Sequence, residues 1–151
     1  MAQLLDDALK LQALSFGKQG IQVRREYAEV PPVLVDRHKL LQILFNLLSN
    51  ARHALLESGR ADKQLTLRIG GGKDGERLRL EVADNGIGIS AETLPRLFTQ
   101  GFTTKKEGHG FGLHTSALAA AELGGMLTCD SPGPGQGATF LVELPARRNH
   151  A

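Results

Sequence analysis

The alternation of apolar and polar residues divides the first part of this chain into helix, strand and helix. Apolar residues recur at helical spacing over residues 4–16, which predicts one amphipathic helix. Residues 21–28 alternate with a period of two and predict a half-buried strand. A longer helix is predicted from Asp36, a residue type that caps helix N-termini, to Ser58, which precedes a helix-ending Gly59.

The second part of the chain predicts four more strands. Residues 64–69 and 77–83 both alternate, and a glycine-rich turn joins them, so we expect them to pair as a hairpin. The other predicted elements are a short helix that Ser90 caps and that carries Leu94, Leu97 and Phe98, a helix over 111–123, and strands over 126–130 and 138–144.

Composition places these elements in one domain. The chain has 151 residues, a size at which a single core is expected, and a net charge of only +2. No basic run is interleaved with aromatic residues, so neither nucleic acid nor a membrane surface is expected as a partner. The single cysteine, Cys129, lies in an apolar stretch, which indicates a packing role and a reducing compartment such as the cytoplasm.

A glycine-rich segment over residues 101–113 is the first candidate for chemistry. Glycines at 108, 110 and 112 allow the backbone to approach a ligand closely, and two lysines precede them. The predicted helix that begins at Phe111 would direct unpaired N–H groups toward an anion. The segment is therefore a candidate phosphate site, with a solvated surface loop as the alternative.

A row of polar side chains on the helix predicted over residues 36–58 is the second candidate. Gln42, Asn46, Asn50 and His53 recur on one face of an otherwise apolar segment. A buried amide without a partner costs about 1 to 3 kcal/mol, so these side chains need a ligand, a hydrogen-bond network or solvent. An asparagine oxygen is also a suitable ligand for Mg²⁺.

The third candidate is Asp84 at the end of a predicted strand. A carboxylate at this place can accept a hydrogen bond from an exocyclic amine, and Gly86 and Gly88 would let a flat ring lie against the backbone. These features suit adenine.

Two better-known nucleotide motifs do not fit. Lys73 follows glycines, but Asp74 occupies the place where a P-loop needs serine or threonine. The glycines after Asp84, with Ala91, match a dinucleotide-binding pattern. The acid at the required spacing, Glu107, lies inside the glycine-rich segment, and the predicted strands form hairpins instead of βαβ units.

Together these segments resemble the catalytic domains of two-component sensor histidine kinases. The resemblance covers residues 4–145 and implies the Bergerat fold: an α/β two-layer sandwich with a mixed, largely antiparallel five-stranded sheet and about three main helices on one face. The whole of residues 1–151 is then a single ATP-binding catalytic domain. The matching motifs are the N box at 46–51, the G1 box at 84–88, the F box at 97–98 and 102–105, the G2 box at 108–113, and a last glycine motif at 135–140.

The resemblance also implies roles for single residues. Asn50 would bind Mg²⁺ and act in catalysis with Lys105, Asp84 would recognise adenine, and Thr139 would support Asp84 from a neighbouring strand. His53 departs from the family, since many relatives have lysine there. The residues placed around ATP or ADP are Asn46, Asn50, His53, Ala54, Asp84, Gly86, Gly88, Ile89, Phe98, Thr103, Thr104, Lys105, Gly108, His109, Gly110, Phe111, Gly112, Leu113 and Thr139.

The reaction implied is transfer of the γ-phosphoryl group of Mg-ATP to a histidine outside this chain. Relatives that hydrolyse ATP, such as gyrase, place a water-activating glutamate four residues before the metal-binding asparagine, where this chain has Asn46. None of the five histidines has the acceptor context, so we expect that the isolated domain does not label itself. Without the dimerisation domain, the isolated domain is expected to be monomeric. The partners implied are an upstream dimerisation and acceptor domain and the receiver domain of a response regulator. The alternatives are an anti-sigma-type serine kinase and a regulatory module without transfer activity.

Overall fold

The computed structural model describes residues 1–30, 35–71, 77–99 and 111–145, and these form two layers. Helices pack on one face of a single mixed sheet. In chain order the elements are α1 (Ala2–Lys10), α2 (Ala13–Lys18), β1 (Gln22–Tyr27), α3 (Arg37–Ser58), β2 (Gln64–Gly71), β3 (Arg77–Asp84), a 3₁₀ turn (Leu94–Arg96), α4 (Phe111–Glu122), β4 (Met126–Asp130) and β5 (Ala138–Pro145).

The sheet has five strands in the order β1-β2-β3-β5-β4. β1 is parallel to β2, and the remaining pairs are antiparallel. β2 and β3 form the predicted hairpin, with Leu65 opposite Asp84. The architecture confirms the fold class expected from the sequence: a mixed, largely antiparallel sheet of five strands under a layer of helices.

The long helix α3 has the boundaries that the sequence predicts. The Asp36 carboxylate accepts a hydrogen bond from the backbone N–H of Lys39 at 3.1 Å, and Gly59 takes a left-handed conformation with φ of 67°. These two residues satisfy the helix ends. Its apolar side is buried against the sheet and the other helices through Leu40, Ile43, Leu44, Leu47, Leu48, Ala51 and Leu55.

The prediction of one continuous helix over residues 4–16 is wrong, because the chain turns at Leu11 and Gln12 and divides it into α1 and α2. The turn lets the buried Gln12 side chain donate a hydrogen bond to the backbone carbonyl of Phe45, at 3.1 Å. It also brings Phe16 into the core and leaves Leu11 and Leu14 exposed. The buried Gln12 amide needs a hydrogen-bond partner, and the chain meets this need by departing from the helix that the apolar spacing predicts.

The short helix predicted after Ser90 is a single 3₁₀ turn. The Ser90 hydroxyl accepts a hydrogen bond from the backbone N–H of Thr93 at 3.2 Å, as expected of a capping residue. Leu97 is buried, and the ring of Phe98 packs edge-on against Phe140 with 6.4 Å between centroids. Within the described residues, no helix is both long and apolar enough to span a membrane.

Candidate functional site

A cavity lies between α3, the loop after β3 and the beginning of β5. Its empty volume, including the open mouth, is about 730 Å³. Most of the lining is apolar, with a few polar side chains among it. The lining residues are Asn50, His53, Ala54, Glu57, Asp84, Ile87, Gly88, Ile89, Thr93, Leu97, Leu113, Ala138 and Phe140.

Asp84 is the last residue of β3 and supplies a carboxylate to this apolar cavity. Its Oδ1 accepts a hydrogen bond from the backbone N–H of Gly86 at 2.8 Å. Burial raises the pKa of Asp84 to about 6, although the backbone amides of Gly86 and Ala138 act in the opposite direction. Desolvation outweighs these two hydrogen bonds, as expected for a buried carboxylate that has no cationic partner among the described residues.

The loop that follows Asp84 is fixed to α3. The backbone N–H of Ile87 donates to the carbonyl of Ala54 at 3.2 Å, and Gly86 packs so closely on Ala54 that a Cβ there would overlap its carbonyl. Gly88 has a φ of 72°, and a Cβ at that position would collide with the carbonyl oxygen of Gly133. Both glycines are therefore required by close backbone packing.

The polar side chains of α3 separate into two groups. Asn50 and His53 line the cavity, as does Glu57 one turn beyond His53. Asn46 instead donates a hydrogen bond from Nδ2 to the hydroxyl of Ser116 on α4, at 3.1 Å. Asn46 therefore links α3 to α4.

The first turn of α4 closes one side of the site. Leu113 lines the cavity, and a Cβ on Gly112 would lie 3.9 Å from Cγ of Asn46. The Nδ1 atom of His114 is 3.0 Å from the backbone carbonyl of Phe98. A carbonyl can only accept a hydrogen bond, so Nδ1 carries the proton. This bond joins the segment after the 3₁₀ turn to the start of α4.

Cys129 lies on β4 in register with Phe140 and packs partly buried against the core. Burial, together with the carboxylates of Asp84 and Asp130, raises the pKa of its thiol to about 12. The side chain is thus a neutral thiol at pH 7, which agrees with the packing role expected from the sequence.

The structure brings many of the predicted site residues into one cavity. Those that line it are Asn50, His53, Ala54, Asp84, Gly88, Ile89 and Leu113. Gly86 and Phe98 contact the lining residues Ala54 and Phe140, whereas Asn46 bonds to Ser116 and Gly112 lies beside Asn46. Thr103, Thr104, Lys105, Gly108, His109 and Gly110, and the side chain of Phe111, lie outside the described residues.

The structure corrects the placement of Thr139. β3 and β5 pair so that Thr139 is opposite Ala83, whereas Asp84 is opposite Ala138. Residues that are directly opposite in an antiparallel pair share a face, and successive residues alternate between faces. The side chain of Thr139 thus points away from Asp84, and Ala138 takes the place that was expected for Thr139.

Some lining residues were missed by sequence reasoning. Ala138 and Phe140 could have been found from strand alternation, since they share the buried face of β5 with Val142. Glu57 lies one helical turn after His53, so helical spacing was the available signal. The sequence contains no comparable pattern for the register between β3 and β5 or for the path of the loop after β3. The missed residues are Glu57, Ile87, Thr93, Leu97, Ala138 and Phe140.

The mixed sheet under helices, with a carboxylate in an apolar cavity beside α3, is the arrangement expected of the Bergerat fold. The family model described as "Histidine kinase-, DNA gyrase B-, and HSP90-like ATPase" matches residues 35–148. The chain belongs to this family.

Its relatives include sensor histidine kinases. The chain is 32% identical over 157 residues to the sensory histidine kinase/phosphatase NtrB of Rhizobium leguminosarum bv. phaseoli, an alignment that covers 97% of this chain and 40% of that protein. It is 33% identical over 147 residues to the sensor protein FixL of Bradyrhizobium diazoefficiens, covering 97% of this chain and 28% of FixL. The chain thus spans two fifths or less of these two relatives.

Solved structures of histidine kinases share the fold. The nucleotide-free catalytic domain of histidine kinase ThkA superposes with a TM-score of 0.82 at 25% identity, covering 97% of this chain and 93% of the ThkA domain. Full-length ShkA in complex with AMPPNP superposes with a TM-score of 0.84 at 28% identity, covering 99% of this chain and 30% of ShkA. The described fold is that of a histidine kinase catalytic domain.

Proposed function

We propose that this chain binds Mg-ATP and transfers its γ-phosphoryl group to a histidine on a separate dimerisation and acceptor domain. The observation that carries the proposal is the cavity in which Asp84 lies at the base and Asn50 and His53 lie on the α3 wall. We also propose that residues 1–151 form a single ATP-binding catalytic domain.

The base of the cavity suits adenine. Ile89 and Ala54 line the cavity together with Asp84 and can supply apolar contacts to an aromatic ring, while the Asp84 carboxylate can accept a hydrogen bond from the exocyclic amine. Guanine would present a carbonyl oxygen at the same place and would be repelled by the carboxylate. We therefore infer a preference for ATP over GTP.

The α3 wall suits the phosphates and their metal ion. Asn50 lines the cavity and carries an amide oxygen that can bind a metal ion. Mg²⁺ takes most of its ligands from water and from phosphate oxygens, so one protein ligand of this kind is sufficient. When bound, Mg²⁺ would neutralise charge on the phosphates. We assign metal binding to Asn50, phosphate contact to His53, and a second catalytic cation to Lys105, which lies outside the described residues.

The side chain at position 46 favours a histidine acceptor over water. In the transfer step a neutral imidazole nitrogen of the acceptor would form the new P–N bond, and the bond from the γ-phosphorus to the bridging oxygen would break, with its electron pair leaving on ADP. Attack by water would need a general base. Asn46, four residues before Asn50, is an uncharged amide that donates to Ser116, so it offers no base for that reaction.

A labelling assay tests this function. The chain is incubated with γ-labelled ATP and Mg²⁺, alone and with the separately produced acceptor domain of its parent kinase. We expect no label on the chain itself and label on the acceptor domain. The product should be stable to alkali and lost in acid, as a phosphoramidate is. A receiver domain added next should remove the label, because we propose that it is the second partner.

The same assay separates the alternatives. Acid-stable label on the serine of an added antagonist protein would indicate a serine kinase on this fold instead. Tight ATP binding without transfer to any acceptor would indicate a regulatory module. Rapid self-labelling of this chain would contradict the proposal that its acceptor lies elsewhere.

A further inference from the structure

We propose that Ser131 is a positioning residue that fixes the base-binding wall of the cavity. It lies in the loop between β4 and β5, outside the cavity lining, and acts through the backbone of Ile89. This inference rests on the proposed nucleotide binding, because it assigns Ser131 a part in holding the adenine side of that site.

The Ser131 hydroxyl is a hub of backbone hydrogen bonds. Its Oγ accepts from the N–H of Ile89 at 3.0 Å and from the N–H of Gly133 at 3.3 Å. It donates toward the carbonyl of Gly137 at 2.6 Å. One hydroxyl, with one proton and two lone pairs, can satisfy these three partners together.

The hydrogen bonds of Ser131 connect the loop after β3 with the loop between β4 and β5. The loop after β3 carries Gly88 and Ile89 into the cavity lining, and the β4–β5 loop packs directly behind it. A second hydrogen bond, from the N–H of Gly135 to the carbonyl of Ile87 at 2.6 Å, joins the same two loops. The two bonds fix the peptide planes on both sides of Gly88.

Gly137 extends this arrangement to the carboxylate. It has a φ of 76°, and a Cβ there would collide with the backbone carbonyl oxygen of Asp84. By holding the Gly137 carbonyl, Ser131 also fixes the strand end that carries Asp84. A hydroxyl outside the cavity thus sets the spacing between the wall at Ile89 and the carboxylate at its base, which is the space that a purine ring must fill.

The consequence is a preorganised site. When a wall is already ordered in the free protein, a ligand does not have to offset its conformational entropy on binding. Removal of the hydroxyl would leave Ile89 and Gly133 without that acceptor and would loosen the wall. The loss of affinity should arise from weaker binding of the adenine ring. The phosphate and metal contacts on α3 should be unchanged.

The test is the affinity of the Ser131→Ala variant for ADP, measured by calorimetry with Mg²⁺ and with a chelator. We expect the Kd to rise about tenfold under both conditions, the effect of roughly one lost hydrogen bond. A loss restricted to the Mg²⁺ condition would overturn the inference, because it would place the effect at the phosphates. A Kd within twofold of the wild-type value would also overturn it.

Ser58→Ala is the matched control. The Ser58 hydroxyl also donates to a backbone carbonyl, that of Leu55 at 2.6 Å, and accepts from a backbone N–H, that of Arg60 at 3.2 Å. None of these three residues lines the cavity. We expect Ser58→Ala to lower the melting temperature about as much as Ser131→Ala while leaving the Kd unchanged. An equal loss of affinity in both variants would show a purely structural effect and overturn the inference.

Hydrogen exchange on the wild-type protein gives a readout that needs no variant. The Ile89 and Gly133 amides should exchange slowly in the absence of nucleotide, like the amides of β5. Exchange at the rate of an unstructured chain would overturn the inference even if Ser131→Ala does not fold. If the wild-type protein fails to bind ADP, the proposed function fails. If only the Ser131 results are negative, nucleotide binding stands and the role of Ser131 does not.

Discussion

The side chain of Asp84 shares a face of the sheet with that of Ala138, its direct partner across the β3–β5 pair. The side chain of Ala138 is a methyl group, so Ala138 can donate a hydrogen bond to the Asp84 carboxylate only from its backbone N–H. The carboxylate therefore sits in an apolar setting, and its raised pKa follows from this setting. Function and stability make opposite demands on this residue.

Asp84→Asn should abolish ADP binding and stabilise the empty protein at neutral pH. The folded-state pKa of about 6 lies above the ordinary aspartate pKa of 3.8, so the folded form binds the proton more tightly than the unfolded form. Stability from this group is complete below about pH 4 and is lost as pH rises through 6. The variant should gain about 2 to 3 kcal/mol at pH 7.5 relative to the wild type, and little at pH 4.

Denaturant unfolding at both pH values, beside calorimetry with ADP, measures this prediction. Asp62→Asn serves as the control, because Asp62 is exposed and the neighbouring Arg60 lowers its pKa. That variant should show no gain in stability at pH 7.5 and should bind ADP normally. Normal ADP binding by Asp84→Asn would contradict the assigned role of the carboxylate.

Asn50→Ala should weaken binding of Mg-ATP more than binding of ATP in the presence of a chelator, because it removes a candidate metal ligand. Isothermal titration under both conditions gives the two ratios. Gln42→Ala, two turns earlier on the same helix and exposed, is the control and should change neither. Equal losses with and without Mg²⁺ would argue against metal binding by Asn50.

Ser116→Ala should destabilise the domain by about 1 to 2 kcal/mol, because Ser116 is 1% exposed and its hydroxyl is the acceptor for Asn46. The Asn46→Ala change should cost a comparable amount. A double-mutant cycle by urea unfolding should show that the two effects are not additive. Strict additivity would mean that the bond between α3 and α4 contributes nothing measurable.

Two glycine substitutions should distinguish the cost of a left-handed backbone from the cost of steric overlap. They are Gly137→Ala and Gly135→Ala. Both glycines have positive φ, 76° and 78°, but a Cβ on Gly135 meets nothing within 4 Å, whereas one on Gly137 collides with the Asp84 carbonyl. Gly135→Ala should cost about 1 kcal/mol for the left-handed backbone alone. Gly137→Ala should cost clearly more and should also weaken ADP binding. Equal melting temperatures for the two variants would contradict the packing argument.

The sequence by itself determined the elements whose signals are local. Asp36 and Gly59 fix the ends of α3 because capping depends on the neighbouring backbone. The hairpin of β2 and β3 follows from alternation and a glycine-rich turn. Asn50 and His53 were found as candidates because polar residues recur on one face of an otherwise apolar helix, and Asp84 because it ends a predicted strand and is followed by Gly86 and Gly88.

Only the tertiary structure decided the features that depend on contacts between distant segments. The division of α1 from α2 follows from a hydrogen bond between Gln12 and Phe45, which no local pattern contains. The register of β5 against β3 placed Ala138, and not Thr139, opposite Asp84, and a shift of one residue reverses every side chain. The hydroxyl of Ser131 reaches Ile89 across 42 residues, and that distance along the chain is why its role could not be read from the sequence.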